Sequence, residues 1–151
     1  MAITVTTAMP TTFKVEILKG LHDLSNGADT LKIALLKATA SGSGTYGAAS
    51  TNYSDITGNS DEASGSGYSA GGNTLTNVTP VASGTTAVCD FSDTTWSSAS
   101  FTTSGAMIYN TNNSNSACAV LSFGGDQTVS SGDFQIQFPA AGASTAIIRI
   151  A

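Results

Sequence analysis

Charge is scarce in this chain. Only 10 % of its 151 residues are Asp, Glu, Lys or Arg, against roughly 25 % in ordinary globular domains. Five basic residues against ten acidic ones give a net charge of −5, which offers no positive surface to nucleic acid or to anionic lipid headgroups. Neither nucleic acid nor a membrane is expected as a partner. Histidine is scarcer still: His22 stands alone, so an imidazole base could activate a nucleophile at one place only. His22 with the separated Cys89 and Cys118 cannot close a four-ligand zinc site without carboxylates. No carboxylate spacing matches an EF-hand loop, and the Gly-rich pieces at 42–44 and 65–67 lack the Lys-Ser/Thr ending of a phosphate loop; they read as linkers. No cofactor is expected, and the chain reads as non-enzymatic. No apolar run approaches the roughly 18 residues of a membrane-spanning helix. The opening MAITVTTAMP lacks the basic and apolar regions of a secretory signal. Synthesis in a reducing cytoplasm is therefore expected, with Cys89 and Cys118 unbridged and packed as small apolar side chains inside strands.

Hydroxyls and glycine fill the space: 21 Ser, 22 Thr and 16 Gly. Within that matrix short runs alternate with the period of a strand that has one dry and one wet face. Phe134, Ile136 and Phe138 alternate with Gln135 and Gln137. Similar runs occur at 85–91, 117–123 and 146–150, with a tight turn expected at Gly124-Gly125-Asp126. In 29–38, Leu31, Ile33 and Leu35 share one face and Lys32, Ala34 and Leu36 the other; both are fairly apolar, which predicts a central strand. One helix is predicted over 11–25, where Phe13, Ile17, Leu21 and Leu24 recur at helical spacing. Thr11 or Thr12 would cap it, Glu16 would lie near its positive end, and Ser25-Asn26-Gly27 would end it. Gly20 inside that span predicts close packing against a neighbour. The stretches 40–50 and 58–66 read as polar surface loops, the first of them mobile.

The sum predicts a mainly β fold, an antiparallel β-sandwich of jelly-roll or immunoglobulin-like type with one N-terminal helix packed on it. Residues 10–151 form a single domain in this reading, and 1–9 an extended arm. Phe13, Ile17, Leu21, Ile33, Leu35, Phe91, Ile108, Leu121, Phe134 and Ile136 should be its core. The arm carries Ile3, Val5 and Met9 with no evident partner in the chain. It could attach to a neighbouring molecule by adding to a sheet edge, or be an ordinary first strand.

Among groups that could do chemistry, His22 lies on the polar side of the predicted helix and is expected to be solvated. Asp61 and Glu62 are adjacent, Asp90 and Asp93 bracket two residues, and Asp126 and Asp133 flank a hairpin-like segment. Two of these could form an acid/base pair or a calcium site; turn and strand-end hydrogen bonds are the favoured alternative. Trp96 with Tyr46, Tyr53, Tyr68 and Tyr109 could line a sugar-binding face, although Trp96 is better read as a core plug at a strand end.

An ordered set of segments carries a resemblance: LKIALL at 31–36, YSDIT at 53–57, SGSGYSAGG at 64–72, TTWSSASFT at 94–102, GAMIY at 105–109 and FGGDQTVSSGDF at 123–134. Together they resemble the small virion structural proteins of tailed bacteriophages, the head-decoration or cement proteins, over about residues 12–138. The loop at 40–50 and the tail after Phe138 depart from that pattern. The resemblance implies a non-enzymatic protein of the virion, held on the capsid surface by the major capsid protein, with a homotrimer as the expected form. It identifies no binding residues. A tail or fibre component, and a carbohydrate-binding module using Trp96, are the alternatives.

Overall fold

A strand that is apolar on both faces must be covered twice, and Leu31–Lys37 is. The computed structural model describes all 151 residues, Met1–Ala151. In chain order they form β1 (Thr4–Val5), α1 (Thr11–Leu18), β2 (Leu31–Lys37), β3 (Thr45–Tyr46), α2 (Ser54–Gly58), β4 (Asn73–Thr74), β5 (Asn77–Ser83), β6 (Thr86–Phe91), β7 (Thr94–Asn110), β8 (Ser116–Ile136) and β9 (Ile148–Ile150). The fold is mainly β, with antiparallel sheets in the orders β4-β2-β7-β8 and β5-β6-β9 and a parallel pair β1-β3. On one face of the larger sheet Leu31, Ile33, Leu35, Ala106 and Ile108 meet Cys89, Phe91 and Ile148 of the smaller sheet and Phe13 of α1. On the other face Ala34, Leu36, Met107 and Val120 pack under Ile3, Tyr46 and Ile56. The sandwich thus has a further cover, and the period-two alternation of β2 feeds two cores at once.

That second cover overturns the mobile-loop expectation for 40–50 and favours the first-strand alternative for 1–9. Residues 40–50 are not a mobile surface loop: Tyr46 is buried and β3 pairs with β1. Residues 1–9 have partners within the chain. Ile3 N–H donates to Thr39 at 2.9 Å, Thr4 N–H to Gly44 and Thr6 N–H to Tyr46, while Ala8 bridges Val120. The physical reason is one of demand. The sheet face bearing Leu36, Met107 and Val120 needs apolar cover, and Ile3 supplies it at 4 % exposure.

The helix is shorter than its sequence period suggested. It ends at Leu18, with Lys19 as C-cap and Gly20 left-handed at φ +69°. Gly20 N–H donates to Ile17 and Leu21 N–H to Glu16, at 3.0 and 3.1 Å, a Schellman stop. Gly20 is there for its positive φ, since nothing approaches the position of a Cβ. The first helical residue is Thr11, its N–H bonded to Ala48, and Pro10 is the N-cap without any side-chain bond. Leu21 consequently lies beyond the helix, half exposed.

β7 and β8 form one long hairpin where separate short strands and a turn at 124–126 were expected. Their register runs from Asn110↔Ser116 out to Thr94↔Ile136, interrupted by bulges. Gly124 and Gly125, both at positive φ, sit inside β8. Bulges give extra twist and let a long strand bend without ending. Only the 103–110 part of β7 is flanked by β2, so the distal hairpin has fewer layers over it. Phe13, Ile33, Leu35, Phe91 and Ile108 are buried as expected, whereas Ile17, Leu121, Phe134 and Ile136 are half-buried at the margins.

Candidate functional site

Two polar nodes and one open cleft hold most of the chemistry that this chain possesses. The first node is the adjacent pair Asp61 and Glu62. Asp61 is fully buried. Its carboxylate accepts from Gly44 N–H and from the Tyr46 hydroxyl, both at 2.8 Å, and lies 3.5 Å from Lys37 Nζ. A Cβ at Gly42 or Gly44 would collide with that carboxylate. The Gly-Ser-Gly stretch is therefore a close backbone approach to a buried anion and not a linker. Glu62 accepts from Tyr53 Oη at 2.6 Å, Tyr68 Oη at 2.8 Å and Gly71 N–H at 2.6 Å. Burial, then the neighbouring Glu62 carboxylate, pushes the Tyr53 and Tyr68 hydroxyls well above the usual phenol range. The node ties the 42–72 segments onto the sheet.

The second node joins α1 to the tip of the β7–β8 hairpin. His22 is not solvated: its side chain is enclosed. Nε2 stands 2.8 Å from Glu16 Oε2, and Nδ1 accepts from Asn110 Nδ2 at 2.9 Å. Asn110 is held in that orientation, since Nδ2 also donates to Asp29 and Oδ1 accepts from Asn112 N–H. Ser116 Oγ donates to the same Glu16 oxygen at 2.5 Å. Burial pushes the Glu16 carboxyl up, but the bonds from Ser116 and His22 outweigh it, so it ionises below its ordinary value of 4.5. Glu16 is thus near the end of α1 and is used sideways, not against the helix dipole. The order Ser–Glu–His puts the carboxylate between hydroxyl and imidazole, whereas acyl transfer needs the imidazole in the middle. The node is a structural tie.

The remaining carboxylates mostly tie distant segments together instead of forming turns or solvating strand ends, and Asp90 is buried. Asp90 accepts from Phe91 N–H, Asp93 from Phe138 N–H, Asp126 from Thr39 N–H and Oγ1, and Asp133 from Ser98 N–H. Trp96 is 2 % exposed, packed near Tyr68 and Phe134 with ring centroids 6.2 and 6.0 Å away. Tyr46 and Tyr109 are buried too, and Tyr53 stacks on Tyr109 at 4.5 Å. A sugar-stacking platform needs a free ring face, and Trp96 presents none. Cys89 and Cys118 are unbridged and buried. Burial pushes the Cys89 thiol up to about 11 and that of Cys118 further, away from the reactive thiolate form. Of the arm residues, Ile3 belongs to the second core, Val5 packs against that core, and half-buried Met9 packs against the larger one.

Sequence reading missed the open cleft between α1 and β9, which Leu18, Lys14 and Arg149 help to line. The signal was available in Lys19-Gly20: a cation followed by glycine ends a helix, which leaves Leu18 at an exposed helix end. No helix is long and apolar enough to cross a membrane. No protein-family model, curated protein or solved structure matches the chain.

Proposed function

We propose that this chain is a non-enzymatic structural protein of a tailed-bacteriophage virion that decorates the capsid and stabilises it as a cement protein. Its partner in this reading is the major capsid protein, and its form a homotrimer on the particle surface. One observation carries the proposal. The buried acids, the imidazole and most of the tyrosine hydroxyls are turned inward as ties between loops and sheet. What is left outside is a mostly uncharged Ser/Thr surface. Such a surface costs less to desolvate than a charged one, and modest contacts repeated over many copies add up. The ordered sequence segments over residues 12–138 support the same reading.

Cryo-electron microscopy of particles assembled with and without the chain tests it. Expected are regular knobs on the capsid shell in the first case, and particles that lose their genome at lower temperature in the second. Density confined to the tail or fibres would replace this reading with that of a tail component. Particles of unchanged stability with the chain absent from their structure would end it.

A further inference from the structure

β9 is an edge strand. β6 pairs with it on one side, and no other backbone hydrogen bond reaches residues 147–151. Between β9 and α1 runs an open cleft of about 340 Å³, lined chiefly by Met9, Lys14, Ile17, Leu18, Arg149 and Ile150. It continues past Ile17 and Ile150 into a second cleft of about 270 Å³. Leu18 is 89 % and Ile150 51 % exposed. An unpaired strand edge beside an apolar helix face is the geometry into which an extended segment can add as a further strand. Main-chain bonds then supply affinity, and alternate side chains supply specificity.

Charge selects the occupant. Lys14 and Arg149 line the cleft and Lys19 follows Leu18, so three of the five basic residues gather here on a chain of net charge −5. The nearest acidic side chains are engaged elsewhere: Glu16 is turned to Ser116 and His22, and Asp23, at the far end, accepts from Ser25 N–H. The α-carboxylate of Ala151, which also lines the cleft, is outnumbered by Lys14, Lys19 and Arg149. In a twofold pairing of β9 with itself, Arg149 and Lys14 would face the same cations of the second copy, which disfavours that arrangement. We propose that the α1–β9 cleft docks an extended segment of a partner protein, in which apolar side chains alternate with carboxylates, by strand addition to β9. The segment's apolar residues cover Leu18, Ile17 and Ile150, and its carboxylates meet Lys14, Lys19 and Arg149. This stands independently of the virion reading, because the occupant is defined by its chemistry.

The test is an NMR titration of the full ¹⁵N-labelled chain with a short acetylated, amidated peptide alternating valine with glutamate, and with its valine–lysine counterpart. Saturable shifts confined to the amides of α1 and 147–151, given by the glutamate peptide alone, are expected. The exposed double variant Lys14→Glu with Arg149→Glu should keep a dispersed spectrum and bind at least about tenfold more weakly, equivalent to roughly 1.4 kcal/mol. No shifts at millimolar peptide would overturn the proposal, as would equal shifts from both peptides or unchanged binding in the variant. Shifts at these residues that depend on protein concentration without peptide would assign the cleft to a second copy and equally overturn it.

Discussion

Asp61 has no water to solvate it, so its stability rests on Gly44 N–H, the Tyr46 hydroxyl and Lys37. Removing the carboxylate leaves the buried Gly44 N–H without an acceptor and the Tyr46 hydroxyl with only the Asp55 carbonyl at 3.3 Å. Asp61→Ala should therefore cost about 3–5 kcal/mol, measured as a shift in urea midpoint at constant slope. Asp126, whose partners on Thr39 are exposed, is the contrasting acid, and Asp126→Ala should change the midpoint little. Glu16 titrates differently. Its folded pKa lies below the ordinary 4.5, so the folded chain binds fewer protons there than the unfolded one. The stabilisation is complete above 4.5 and is lost as the pH falls through the lower native value. Ser116→Ala removes the strongest bond lowering that pKa, so urea midpoints of this variant should decline less steeply with acid than those of the parent. A parallel decline would refute the assignment.

At the scale of elements, β1 and α1 respond to opposite tests. β1 brings Ile3 into the second core, and Ile3→Ala should cost about 2–4 kcal/mol. Deleting residues 2–9 should leave a chain without a cooperative unfolding transition; a truncated chain that stays folded would return the segment to the role of a tether. In α1 the stop is set by Gly20 at φ +69° with open space around it. Gly20→Ala should cost about 1–2 kcal/mol through backbone strain alone, while Leu18→Ser, at the exposed helix end, should leave stability nearly unchanged. Thermal unfolding followed by circular dichroism separates the four variants.

The whole molecule is a sheet sealed on both faces, with the long hairpin running past the seal. Amide exchange should be slowest in 105–110 and 117–121, where β7 lies between β2 and β8 and both cores press on it. It should be faster in the distal hairpin. Cys89 and Cys118 report the same from within: both are buried, with thiols pushed up by burial. Alkylation of the native protein at neutral pH should be slow at both, and in a urea series it should rise together with the loss of the far-ultraviolet signal. Early labelling of Cys89 alone would show that the smaller sheet opens first.

Period and composition by themselves determined the mainly β class, the central place of β2, the buried positions Phe13, Ile33, Leu35, Phe91 and Ile108, and the unbridged thiols. Each follows from local alternation or from the scarcity of a residue type. Only the tertiary structure decided where the hydroxyl-rich segments go, because polar composition does not distinguish a solvated loop from one tied down by a buried acid. Asp61 and Glu62 look like ordinary turn residues until Gly44, Tyr46, Tyr53 and Tyr68 converge on them from distant parts of the chain. His22 looks solvated until the hairpin tip supplies Asn110 and Ser116. The helix end was legible at Lys19-Gly20, but the apolar spacing of Leu21 and Leu24 continued past it and masked the stop. Of the α1–β9 cleft only the exposed helix end at Leu18 was locally legible: its walls are residues from the two ends of the sequence, which only the packing of the smaller sheet against the helix brings together.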